Sequence, residues 1–209
     1  MASSAISAQG SILAIGTGSG SAVTITGVTL GNPTIIAAAA HCFNTGDVLT
    51  IAGVGGAAVN GTYSVVYKTA NTFAIALDTT GGAAYTSGGT ATPVVFSAIG
   101  NIKDFSGFDG SASEIDVSNL SSTAKEYRLG LTDPGQFTLN IDYDSSNAGH
   151  IALRAKQVSG LLSNFKLTLP NAQNITFTGF VKKFALAGAV DAVAKTAVDI
   201  RISGPITGL

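Results

Sequence analysis

The strongest constraint in this chain is a period of two. In FTLNIDY, Phe137, Leu139, Ile141 and Tyr143 alternate with Thr138, Asn140 and Asp142. Successive side chains of a strand point to opposite faces, so the stretch predicts a strand with one packed and one polar face. Phe165, Leu167 and Leu169 repeat the pattern, as do Ile175 with Phe177, and Val198, Ile200 and Ile202 with Asp199 and Arg201 facing away. Strands of this kind suit an antiparallel sheet packed on one side. The spacing also predicts one helix, over about 146–160, whose apolar stripe of Ala148, Ile151, Ala152, Ala155, Val158 and Leu162 would cover the sheet. Asp144, Ser145, Ser146 and Asn147 are its N-cap candidates, and Gly160 its stop.

Charge marks a boundary. Between Ser19 and Pro93 only Asp47, Lys68 and Asp78 are charged, and the rest of the 11 basic and 12 acidic residues lie outside that segment. Within it, AVTIT (22–26), TII (34–36), DVLTI (47–51), GTYSVVY (61–67) and TFAIAL (72–77) are β-branched or aromatic runs divided by turn signals such as NTGD and Asn60-Gly61. A small all-β unit is expected there, flanked by GTGSGS (16–21) and TSGGTATP (86–93), which have linker composition.

With charged residues at 11% and a net charge of −1, there is no basic patch to displace phosphate counterions, so tight nucleic-acid binding is not expected. A thinly charged, near-neutral surface favours self-association. No apolar run reaches the length of a membrane-spanning helix, and MASSAISAQG has neither the basic nor the apolar part of a signal peptide. Cys42 is the single cysteine, so no intrachain disulfide is expected and synthesis in a cytoplasm is the default.

Motifs that would carry chemistry fail on inspection. GTGSGS lacks the Lys-Ser/Thr and the following helix of a phosphate loop. DYDSSNAG begins like a calcium loop, but its sixth and twelfth positions fall on Asn147 and Leu153. His41 and His150 are far apart and only His41 has Cys42 beside it, which is too few ligands for zinc. No nucleophile elbow supports a hydrolase triad. Glu114 and Asp116 lie two apart, on one face of an expected strand whose Ile115 and Val117 would point to the core; a solvated acidic face explains them better than acid/base chemistry. No catalytic, cofactor-binding or metal-binding residue is assigned. The mixed stretch after them, with Lys125, Glu126 and Arg128 around Tyr127, has an interface composition.

SAQGSILAIGTG, IGNIKDFSGFDGSASEIDVSNLSSTAKEYRLGLTDPGQFTLNIDYD, AGHIALRAKQ, NFKLTLP, ITFTGFVKKF and AVDIRISGPIT, in that order, resemble the tail tube (major tail) proteins of long-tailed bacteriophages. The resemblance covers 1–18 and 94–209. It implies a β-sandwich with one flanking helix that assembles into stacked, hexameric rings around a channel for DNA, without catalysis or cofactor, in a virion whose other tail proteins (tape measure, terminator and initiator complex) are its partners. It implies that the excursion from Asp116 to Gly130, with Ser118, Asn119, Lys125, Glu126, Tyr127 and Arg128, meets neighbouring subunits. The expected fold class is all-β dominated, a sandwich or barrel of antiparallel strands with one α-helix, plus the inserted β-domain at 19–93. That insert resembles a small β-barrel module of phage structural proteins and, in fold alone, the first catalytic cysteine half-domain of ubiquitin-activating enzymes; Cys42 is not read as catalytic. Alternation makes Glu114, Asp116 and Asp142 candidates for an acidic lumen that repels phosphate, with Lys166 and Arg201 as diluting cations. The rival expectation is a virion surface protein whose insert binds a host receptor or glycan, with Tyr63, Tyr67 and Tyr85 as exposed aromatics.

Overall fold

A computed structural model describes residues 5–209; Met1–Ser4, the start of the expected 1–18 segment, lie outside the described residues. The chain folds as antiparallel β-structure with one α-helix among the described residues, the all-β dominated class the alternation predicts. It divides into two compact units. The first holds the described chain from residue 5 through Ser97 with Lys166–Thr176 and Thr207–Leu209, and the second holds Ala98–Phe165 and Phe177–Ile206.

The first unit contains β1 (Ile12–Ser19), β2 (Val23–Thr24), β3 (Gly27–Thr29), β4 (Thr34–Ala37), β5 (Val48–Ala52), β6 (Gly61–Lys68), β7 (Thr72–Ile75) and most of β8 (Thr90–Ala98). Their spatial order is β3-β4-β7-β6-β5-β8-β1, with β2 also on β8. The low-charge segment closes on its own core: Ile25, Ile36, Phe43, Leu49, Ile51, Val65, Phe73 and Ile75 are buried together, each supplied by the inward positions of a short strand or its flanking loop. The stretches with linker composition are partly strand, because β1 runs on through Ser19 and β8 begins at Thr90. Two of their glycines serve close approach. The Gly20 amide donates to the Pro93 carbonyl at 2.7 Å, and a Cβ on Gly20 would stand 2.9 Å from Pro93 Cγ, one on Gly89 2.4 Å from Val54 Cγ2.

The second unit contains β9 (Ile102–Gly107), β10 (Ser111–Asp116), β11 (Tyr127–Asp133), β12 (Gln136–Asp142), α1 (Ala148–Ser159) and β15 (Lys195–Ile202); β13 (Ser163–Thr168) and β14 (Asn174–Ala187) have residues in both units. The order β14-β15-β12-β9 places β12 between two antiparallel neighbours, with Phe137 opposite Ile200 and Gly107, and Leu139 opposite Val198 and Phe105. Phe137, Leu139, Ile141, Val198 and Ile200 are all buried, as the alternation requires. Phe137 stacks on Phe105 and meets Phe108 and Phe177, with ring centroids 5.8, 5.3 and 5.4 Å away. The other face is polar and of mixed sign: Asn140 donates to Asp104 at 2.7 Å, and Lys183 lies 3.9 Å from Asp199.

Helix α1 forms where predicted but presents a different face. Asn147 is its N-cap, accepting from the Gly149 and His150 amides, and Gly160 closes it in the left-handed region at φ 64°. The residues it buries are Gly149, His150 and Leu153. Ile151 and Val158 of the apolar stripe are exposed, Val158 at 78%. Close approach decides the face: a Cβ on Gly149 would sit 2.5 Å from the Ala98 carbonyl oxygen. His150 then bridges two backbone segments, with Nε2 2.9 Å from the Gly100 carbonyl and Nδ1 3.1 Å from both the amide and the carbonyl of Asp144.

Candidate functional site

β10 and β11 form a two-stranded sheet of their own. Ser111 pairs with Asp133, Ala112 with Thr132, Glu114 with Leu129, Ile115 with Arg128 and Asp116 with Tyr127, with a bulge between Ala112 and Glu114. At the bulge Gly130 has no side chain to spare: a Cβ there would come 2.4 Å from Ser113 Oγ. The expectation that Ile115 and Val117 point into a core is not met, since both are exposed along with Leu120, Tyr127, Leu129 and Leu131. With two strands and nothing stacked on either face, alternation has no inside to point to. Leu129 and Leu131 are 75% and 94% exposed, an apolar patch of the sort that marks a surface awaiting a partner.

The excursion is shorter than expected, because Tyr127 and Arg128 belong to β11 and the loop proper is 117–126. That loop is ordered by its own polar groups. The Ser118 amide donates to Asp116 Oδ1 at 2.9 Å, and the Glu126 amide to Ser118 Oγ at 2.9 Å. Asn119 Oδ1 accepts from the Ser121 amide at 2.9 Å. Lys125 Nζ lies 2.5 Å from Asp116, and this bond, with those from Ser118, holds the Asp116 carboxyl below the usual aspartate range. At the other end Arg201 pairs with Asp133, whose carboxyl is lowered by the Gly135 amide first and by Arg201 second.

The three carboxylates expected on a lumen stand in different settings. Glu114 and Asp116 are on the two-stranded arm, whereas Asp142 is on β12, paired with Lys103 at 2.8 Å. Glu114 has no ion pair among the described residues. Of the two diluting cations, Arg201 bonds Asp133 and Lys166 lies over the Phe96 ring at 4.9 Å.

His41 is buried, stacks on Phe43 and approaches the Thr72 carbonyl with Nε2 at 3.0 Å; Cys42 beside it is exposed. Among the described residues no three His, Cys, Asp or Glu side chains converge as a metal site, and no helix is long and apolar enough to cross a membrane. Of the aromatics expected on the insert's surface, only Tyr67 is largely exposed. Tyr63 and Tyr85 pack on the core cluster of the low-charge segment, where burial pushes the Tyr63 phenol up and Tyr85 donates to the Ile25 and Gly88 carbonyls at 3.2 and 3.1 Å. The apolar face of α1 is a surface that sequence reasoning placed inside. Ile151, Arg154, Ala155 and Val158 line an open groove of about 590 Å³ with Tyr143.

Residues 76–169, a little under half of the chain, match the family described as phage tail tube, TTP, lambda-like. A curated relative, "Structural protein 3" of Pseudomonas phage PAJU2, is 26% identical over 135 aligned positions, covering 54% of this chain and 82% of the relative. Two solved structures are similar at lower identity. The tail of an empty gene transfer agent particle, refined with C6 symmetry, has 15% identity and a TM-score of 0.47 over 55% of this chain and 86% of its own. The virion of a native gene transfer agent particle has 14% identity and a TM-score of 0.47 over 55% of this chain and 88% of its own. The tail-tube resemblance read from the sequence is shown by the family match, which supports a structural subunit of a virion tail tube.

Proposed function

We propose that this chain assembles with copies of itself into stacked, hexameric rings that form a DNA-conducting tail tube, alongside the other tail proteins. The observation that carries the reading is the β10–β11 arm, whose leucines are exposed in a single copy although a lone two-stranded ribbon is marginal in water. Its sequence lies inside the segment that matches the tail tube family. Ser118, Asn119, Lys125, Glu126, Tyr127 and Arg128 then meet neighbouring subunits, and ring closure removes open strand edges. The polar face bearing Asp142 is assigned to the lumen. Its paired charges of both signs would hold DNA weakly and let it slide.

Residues 19–93 are assigned to an inserted decoration domain, with 1–18 and 94–209 as the tube-forming part. A core cluster drawn wholly from Ile25 to Ala91 supports an insert able to hold its own shape. Negative-stain microscopy of the purified chain tests the whole reading. Tubes with projecting knobs are expected; isolated particles at every concentration and with tail initiator present would sink it. Deleting 19–93 should leave smooth tubes, and failure of that variant to assemble would make the insert part of the tube wall.

A further inference from the structure

We infer that the arm of one copy docks into the α1 groove of a second copy. The inference rests on the tail-tube reading and names the contact within it. The groove is apolar along Ile151, Ala155 and Val158 and carries one cation, Arg154. The arm's face is apolar at Tyr127 and Leu129 and carries one spare carboxylate: Glu114 pairs across the strands with Leu129, while Asp116, beside Tyr127, is already bound by Lys125. Neither Arg154 nor Glu114 has a polar side-chain partner among the described residues. On a surface with so few charges, an unpaired cation within one apolar face and an unpaired anion within another are complementary in sign and setting.

A second copy is the occupant because both surfaces stay open in a single chain, so the arm does not cover its own helix. A copy supplies both halves in equal number. Arm into groove is a contact between unlike surfaces, which repeats head to tail and closes into rings or continues along a filament.

The test mixes two full-length single-cysteine chains, each also carrying Cys42→Ser: Leu129→Cys in one and a size-tagged Val158→Cys in the other. After assembly and mild oxidation, the mixed disulfide should dominate over a control mixture of Leu129→Cys with Val66→Cys. Tubes that form with no excess of the mixed disulfide overturn the docking and leave the tube reading standing; a parent chain that forms no tubes overturns both. A second readout does not depend on the cysteines. Glu114→Arg and Arg154→Glu should each lower assembly about tenfold, as loss of a close charge pair does, and the double swap should restore it. Single variants that assemble normally, or a double swap without rescue, would refute the contact.

Discussion

Strand β12 and the β10–β11 arm are built from the same kind of sequence and meet opposite fates. Both alternate apolar and polar residues and both pair antiparallel, yet Phe137, Leu139 and Ile141 are buried while Ile115, Tyr127 and Leu129 are exposed. The difference is cover. β12 has a strand on each side and aromatic rings over its apolar face, whereas the arm has one partner and nothing above or below. Period two therefore reports which side chains share a face, and leaves open whether that face is filled by the same chain or by another one.

Replacing side chains in the two regions should separate them sharply. Phe137→Ala removes the ring at the centre of the aromatic cluster and should cost about 3–5 kcal/mol, read as a lowered denaturation midpoint; a change under about 1 kcal/mol would mean the sheet's face is not the core. His150→Phe leaves the Gly100 carbonyl and the Asp144 amide without their buried partner and should cost about 1–3 kcal/mol. Hydrogen exchange in α1 should rise with it, and unchanged exchange would show that the helix is held by Gly149 and Leu153 alone.

The arm should respond in the reverse way. Leu129→Ser and Leu131→Ser should shift the stability of the single chain by no more than about 0.5 kcal/mol while reducing tube yield in microscopy. A large loss of single-chain stability would show that the arm is already buried, and the comparison with β12 would fail. The smallest effect concerns pH. A depressed carboxyl stabilises the folded form above its unfolded value, and that contribution is lost as pH falls through the folded value. The Asp116–Lys125 bond should hold the 117–126 loop at neutral pH and release it only below the usual aspartate range. Amide exchange followed on acidification would register this, and Asp116→Asn should abolish the dependence.

Much of this was legible in the residues. The alternating strands and the helix with its Asn147 cap and Gly160 stop follow from local spacing, because strand faces and helix caps are set within a few residues. One point was not. The linker-like stretches at 16–21 and 86–93 run partly in strands, and Gly20 and Gly89 beside those strands leave no room for a Cβ, a closeness that composition cannot distinguish from flexibility.

The sequence by itself determined which residues alternate, where the charge lies and which family the tube-like segments resemble. Only the tertiary structure decided that α1 turns Gly149, His150 and Leu153 inward and leaves Ile151 and Val158 outside, and that Ile115 and Leu129 find no core. The reason is physical. Hydropathy ranks side chains by their cost in water, but which face is buried depends also on how close two backbones can come and which carbonyls need a donor, and those distances exist only once the chain is folded.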